Sequence, residues 1–137
     1  MKFKSVPDPV LRYGPALFML AAIPALSLLP ARLFKPLAAV PRLPGADKII
    51  HALLYAALAL SFFRTLPAAT RGRWFAAASI AGVAALYGLA MELCQRHLTS
   101  SRSFDILDAV ANTVGALAYS AIACSWYRRR ILNNTAP

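Results

Sequence analysis

The chain alternates between long apolar runs and short polar segments. Four runs contain no Asp, Glu, Lys or Arg: residues 13–31, 49–63, 74–91 and 109–127. A helix rises about 1.5 Å per residue and the hydrocarbon core of a bilayer is about 30 Å thick, so three of these runs nearly span it as helices. The run at 49–63 is shorter, and its charged flanks must therefore lie close to the two interfaces.

This pattern predicts an all-α integral membrane four-helix bundle, with residues 1–137 forming a single membrane domain. The predicted transmembrane helices cover residues 12–31, 47–65, 73–94 and 105–127. A soluble helical bundle is disfavoured, because 59% of the residues are hydrophobic and 15% are charged, whereas a soluble domain carries about 25% charged residues. The first run also has features of a signal peptide, but its length and Pro24 favour a retained membrane anchor.

The formal net charge of +10 raises the question of a nucleic-acid partner. The basic residues are spread over every loop and form no basic surface interleaved with aromatic residues, so nucleic acid is excluded as a partner. In a membrane protein, positive charge instead reports orientation. The termini and the second loop together carry nine Lys and Arg residues, against six in the other two loops. We therefore predict that both termini are cytoplasmic.

On this topology, four of the five acidic residues fall on the extracytoplasmic side. The candidate site residues there are Asp47, His51, Glu92, Gln95, Arg102, Asp105, Asp108 and Asn112. Within each helix they are spaced three or four residues apart and share one face. Ionisable groups are expensive in a membrane, so their gathering at one depth predicts a functional polar pocket between three helices. Small residues, Gly88 and Gly115 among them, would let these helices approach closely.

Capping and pairing offer a second interpretation for some of these acids. Asp47 and Asp105 can each serve as a helix N-cap, with Asp108 at the N3 position behind Asp105. Glu92 can pair with Arg96 one turn further on. Neither capping nor this pairing explains why His51 and Asn112 lie at the same depth as the acids.

Five further residues are predicted to be structural or solvated. Tyr55 and Tyr119 are expected to be packing aromatics, and His97 is expected to be solvated in a loop. Cys94 and Cys124 fall near opposite ends of the bundle, which is too far apart for a disulfide, so both are predicted to be free thiols.

The candidate pocket suits several kinds of chemistry. A histidine with several carboxylates can bind a divalent cation, but no His-x-x-x-His or Cys-x-x-Cys spacing singles out a metal, and no metal ligand is assigned. His51 can act as a general base oriented by a carboxylate. Arg102 can hold a phosphate or carboxylate group through two hydrogen bonds. The sequence defines no cofactor.

At these positions the chain resembles the VanZ-like family of small bacterial membrane proteins, named after a teicoplanin-resistance protein. The shared pattern is Asp-Lys-x-x-His-x-x-x-Tyr, then Glu-x-x-Gln, then Arg-x-x-Asp-x-x-Asp-x-x-x-Asn-x-x-Gly. It falls here on Asp47, Lys48, His51, Tyr55, Glu92, Gln95, Arg102, Asp105, Asp108, Asn112 and Gly115, within residues 45–120. The resemblance implies a protein of the bacterial inner membrane and cell envelope, linked to antibiotic resistance. It implies no particular reaction.

Three functional hypotheses follow. The leading one is a membrane protein whose outward-facing acidic and histidine pocket binds the polar headgroup of a lipid or a lipid-linked envelope precursor. The second is a membrane hydrolase or transferase acting on such precursors, with His51 and a carboxylate as the acid–base pair. The third is a non-catalytic subunit or a small transporter, whose polar residues would only fix helix packing. Transport would require a homo-oligomer, because four short helices leave little room for a translocation path in a monomer.

Overall fold

The computed structural model describes residues 9–28, 45–99 and 105–135, and within these ranges the apolar runs form helices. The helices are α1 (Pro9–Leu28), α2 (Ala46–Thr65), α3 (Trp74–Leu98) and α4 (Ile106–Thr135), with a short 3-10 turn at Ala68–Thr70 between α2 and α3. No strand occurs in these ranges. The predicted all-α four-helix class is therefore confirmed.

The helix ends extend beyond the predicted boundaries. α3 continues to Leu98, four residues past the predicted end, and α4 continues to Thr135. The last turn of α3 carries Arg96 and His97, and basic residues interact favourably with the negative end of a helix dipole. The last residues of the first predicted helix, 29–31, lie outside the described residues.

Each of the four helices is long and apolar enough to cross a membrane, and at most a third of the residues in each span are buried. Large apolar side chains cover the outside of the bundle, among them Phe18, Phe75, Leu86 and Ile122, each more than 60% exposed. Apolar surface on this scale needs an apolar solvent. The chain is a multi-pass membrane protein.

Close contact between α2 and α4 depends on Gly115. A methyl group at this position would overlap the backbone of Ala52 on α2, so only glycine permits this approach. Gly88 likewise allows close packing around α3, because a methyl group there would lie 3.0 Å from the side chains of both Asn112 and Tyr55. Alanine is the most frequent buried apolar residue among the described positions, as expected where close van der Waals packing drives helix association in lipid.

Three side chains tie α1 to the other helices by hydrogen bonds to backbone carbonyls. The Tyr87 hydroxyl donates to Leu20 O at 2.7 Å, and Gln95 Nε2 donates to Ser27 O at 3.2 Å. At the opposite end of α1, Arg12 donates through Nε and Nη2 to Thr65 O at the end of α2. These bonds hold α1 at both ends.

Candidate polar site at one end of the bundle

A group of polar side chains occupies one end of the bundle, formed by the first turns of α2 and α4 and the last turns of α3. We call this region the polar end, and it contains Asp47, Lys48, His51, Glu92, Asp105, Asp108 and Asn112. By the rise of a helix, Glu92 and Asn112 lie about 9 Å along the axis from the ends of α3 and α4. The polar group therefore extends from the helix ends into the bundle.

Lys48 is the centre of the outer part of the polar end. Its ammonium nitrogen Nζ lies 3.0 Å from Asp47 Oδ2, 2.9 Å from Asp105 Oδ2 and 2.7 Å from Asp108 Oδ1. Two of these carboxylates belong to α4 and its N-terminal flank, so one side chain links the starts of α2 and α4. The three hydrogen bonds use all three donors of the ammonium group.

Asp105 combines this ion pair with helix capping. Its Oδ1 accepts a hydrogen bond from the backbone N–H of Leu107 at 2.8 Å, while its Oδ2 accepts from Lys48. The Lys48 ammonium lowers the pKa of the Asp105 carboxyl below its usual range, and the Leu107 N–H lowers it further. The predicted N-cap role of Asp105 is thus confirmed, and capping is only half of what this side chain does.

His51 lies one turn deeper and contacts both α3 and α4. Its Nδ1 is 3.0 Å from Asn112 Oδ1, and because an amide oxygen only accepts hydrogen bonds, Nδ1 carries the proton. Its Nε2 is 3.6 Å from Asp108 Oδ2. Asp108 therefore faces two groups, with Lys48 at one carboxylate oxygen and His51 at the other.

Glu92 is the deepest acid of the polar end. Its side chain is 1% exposed, and Oε1 lies 4.0 Å from His51 Nδ1. Oε2 makes no hydrogen bond within the described part of the chain. A buried carboxylate is costly unless it is neutralised or paired, and the nearby C-terminal end of α3 adds negative dipole charge. Glu92 is therefore the residue of this region that most needs a cation or a proton.

The floor of the polar end is formed by Asn112, Tyr55 and Gly88. Asn112 is 1% exposed and Tyr55 is 2% exposed, and both pack where Gly88 leaves room. The Tyr55 hydroxyl and Asn112 Nδ2 have no hydrogen-bond partner among the described residues. Tyr55 belongs to the apolar core, which confirms its predicted packing role.

The other candidate residues lie elsewhere. Gln95 binds the backbone of α1 and does not reach His51, while Arg102 lies outside the described residues. The predicted N-cap role of Asp47 is wrong, since Gly45, with a φ of 80°, occupies that position. Glu92 faces His51, whereas Arg96 is exposed. The alternative in which Glu92 pairs with Arg96 is therefore not supported.

Three predictions about residues outside the polar group are confirmed. His97 is exposed, as predicted, although it lies in the last turn of α3 and not in a loop. Cys94 and Cys124 are free thiols.

Sequence reasoning left Lys48 out of the candidate residues, although its ammonium group organises the outer part of the polar end. The spacing contained a usable signal. Lys48 precedes His51 by three residues and therefore lies on the same face of α2. A lysine among acids is normally a solvated surface residue, and only the approach of α4 shows that this one is enclosed by three carboxylates.

The charge balance limits what the polar end can bind. Four carboxyl groups face one ammonium group and one imidazole. Such a site suits hydrogen-bond donors and cations better than a bare anion. Two groups of three residues have the spacing of possible metal ligands: His51, Glu92 and Asp108 in the interior, and Asp47, Asp105 and Asp108 at the rim.

The match to a known protein family covers the residues of the sequence motif. The model of the VanZ/LLP1 family matches residues 11–127, a range that includes every residue of the polar end. No curated protein and no solved structure matches the chain.

Proposed function

The chain belongs to the VanZ-like family, and from this premise and the geometry of the polar end we propose that it binds the polar headgroup of a membrane lipid or a lipid-linked envelope precursor. The main support for this proposal is the group of polar side chains at the polar end. Three helices contribute ionisable side chains to one region, and in a membrane protein such residues mark sites of function.

The charge of the polar end narrows the class of headgroup. Carboxylate and amide oxygens accept hydrogen bonds from sugar hydroxyls and from amino groups. A headgroup that presents such donors matches the excess of acids over bases. A headgroup that presents only phosphate would meet repulsion from Asp108 and Glu92.

The surface beside the polar end offers room for the apolar part of a lipid. A shallow apolar groove of about 330 Å³ runs between α3 and α4, lined in part by Leu86, Leu89, Ile106 and Val110. Ile106 directly follows Asp105 in the chain, so the groove begins next to the polar end. An acyl or prenyl chain in this groove would place its headgroup near the carboxylates.

Lipid analysis of the purified protein tests this proposal. We expect one lipid class to be enriched over the bulk membrane in protein extracted with a mild detergent, and we expect His51→Ala to remove the enrichment. His97→Ala is the matched control, because this second histidine is exposed and lies outside the polar end. Mass spectrometry of the bound lipids is the measurement. Enrichment of no class, or equal loss in both variants, would contradict headgroup binding.

The same experiment addresses the enzymatic hypothesis. His51 has its Nδ1 proton held by Asn112, which leaves Nε2 available as a base beside Asp108. Chemical conversion of the enriched lipid by the wild type, but not by His51→Ala, would make the protein a hydrolase or transferase.

We further propose that the polar end faces the outside of the inner membrane, with both termini in the cytoplasm. The distribution of Lys and Arg supports this orientation. In a background of Cys94→Ala and Cys124→Ala, we expect His97→Cys to react with an impermeant thiol reagent added to intact spheroplasts. Ala69→Cys, exposed at the opposite end of the bundle, should react only after lysis. The reverse pattern would invert the orientation.

A further inference from the structure

The interior of the polar end has the donor atoms of a metal site. One nitrogen of His51, one oxygen of Glu92 and one oxygen of Asp108 lie within 4.8 Å of one another, each from a different helix. Imidazole and carboxylate groups bind divalent transition metals at about 2.0–2.2 Å, so two donors on a tetrahedral ion are about 3.4 Å apart. His51 Nε2 and Asp108 Oδ2, at 3.6 Å, are close to that separation.

The orientation of His51 fits a metal ligand. A histidine that binds a metal through one ring nitrogen usually donates the N–H of the other to a carbonyl or carboxylate oxygen, which fixes the ring. Here Nδ1–H donates to Asn112 Oδ1, so Nε2 faces Asp108 Oδ2 at 3.6 Å, and a neutral ring would present its lone pair to that oxygen. Two acceptors that face each other repel unless a cation or a proton lies between them.

Glu92 supplies an independent observation. Its carboxylate is 99% buried within this group, and Oε2 has no hydrogen-bond partner in the described part of the chain. Neither capping nor pairing with Arg96 accounts for it. A bound cation would balance the negative charge of the Glu92 carboxylate and would also give Oε2 a partner.

The rim is a poorer candidate. Its three acids, Asp47, Asp105 and Asp108, already surround the Lys48 ammonium at 2.7–3.0 Å. The lysine thus occupies the position that a metal ion would take between these carboxylates. In the interior group only Asp108 is paired with Lys48, through Oδ1 at 2.7 Å, and no ammonium or guanidinium group pairs with Glu92 among the described side chains.

We propose that His51, Glu92 and Asp108 bind one divalent transition-metal cation, with Zn²⁺ or Mn²⁺ as the matching class, and that Asn112 is a positioning residue for His51. The cation site does not require the proposed headgroup function. Metal binding is measured on the protein without added lipid, so the two proposals fail separately.

Metal titration of the purified full chain tests the cation site. The protein is extracted in mild detergent, stripped with a chelator and titrated with Zn²⁺ or Mn²⁺, and bound metal is measured by mass spectrometry. We expect about one ion per chain, and binding weakened more than roughly tenfold in both Glu92→Gln and Asp108→Asn. Titration with Co²⁺ should give visible absorption bands typical of nitrogen and oxygen ligands in the wild type only.

Asp47→Asn is the matched control, because it removes an acid at the rim and leaves the interior group unchanged. It should bind metal as the wild type does. Far-ultraviolet circular dichroism checks that each variant folds. If Glu92→Gln does not fold, metal binding by Asp108→Asn provides the test, because Asp108 is partly exposed and its replacement is less disruptive. Asn112→Ala should weaken binding roughly 10–100-fold while keeping the single-site stoichiometry.

Two outcomes would overturn the proposal. A wild-type protein that binds none of the three metals would show that a proton, not a metal ion, balances Glu92. Binding that survives Glu92→Gln but is lost in Asp47→Asn would place the ion at the rim.

Discussion

Replacing Gly115 by alanine is expected to push α2 and α4 apart. The new methyl group would overlap the backbone of Ala52, and backbone atoms, unlike a flexible side chain, cannot move aside without moving the helix. Overpacking of this kind costs about 1–3 kcal/mol or more. The same contact positions Lys48 and His51 opposite Asp108, so we expect metal and lipid binding to fall together with stability. Unfolding in a titration from mild detergent into dodecyl sulfate, followed by circular dichroism, measures the effect.

Gly82→Ala is the matched control for this prediction. It makes the same chemical change in a transmembrane helix, but a methyl group at Gly82 meets nothing within 4 Å. Its effect on the free energy of unfolding should be small, with a slight gain from higher helix propensity. Equal destabilisation by the two substitutions would show that the α2–α4 contact at Gly115 is not a determinant of the fold.

Replacing Lys48 by methionine is expected to release the start of α4 from α2. The change keeps most of the side-chain length but leaves the carboxylates of Asp47, Asp105 and Asp108 without their common cation. These groups would then repel one another at neutral pH. We expect a lower thermal unfolding midpoint and faster hydrogen exchange at the amides of Leu107 and Asp108. Arg64→Met, which removes one positive charge from the opposite end of α2, should leave both unchanged.

The pH dependence of the Lys48→Met defect identifies its cause. The folded-state pKa of Asp105 lies below its ordinary value because of Lys48. Its ion pair therefore contributes stability above the unfolded pKa of about 4 and loses that contribution as the pH falls through the folded pKa. Asp47 and Asp108 also face Lys48, and His51 and Glu92 lie behind Asp108. The difference between wild type and variant should thus be largest near pH 7 and shrink below about pH 4. A defect that is constant over this range would indicate lost packing instead.

Much of the architecture was predictable because it depends on local sequence. The uncharged runs predict four membrane helices, since a helix satisfies its own backbone hydrogen bonds and needs only apolar side chains facing lipid. The spacing of Asp105 and Asp108 also predicts the start of α4 correctly. The N-cap role assigned to Asp47 was wrong because Gly45 is the N-cap and the helix begins at Ala46, two residues earlier than an N-cap at Asp47 would allow.

The composition of the polar end was predictable, but its internal arrangement was not. Helical spacing places Asp108 and Asn112 on one face of α4, because residues three and four apart share a face, and the positions of His51 and Glu92 in the chain place them near the same end of the bundle. It does not decide which partner each side chain meets. Gln95 has the right depth, yet its amide lies against α1 and binds Ser27.

Span length, the cost of burying charge and helical periodicity are properties of local sequence, so the four membrane helices and the position of four of the five acids near one end were predictable without the structure. Which group each of these acids contacts, in contrast, follows from the packing of the helices against one another. The approach of α2 and α4 at Gly115 encloses Lys48 among three carboxylates and sets His51 between Asn112 and Asp108. It leaves Glu92 buried without a full partner. Which charged groups pair depends on the distances between helices. Those distances depend on side-chain packing between helices, which cannot be predicted from a local sequence pattern.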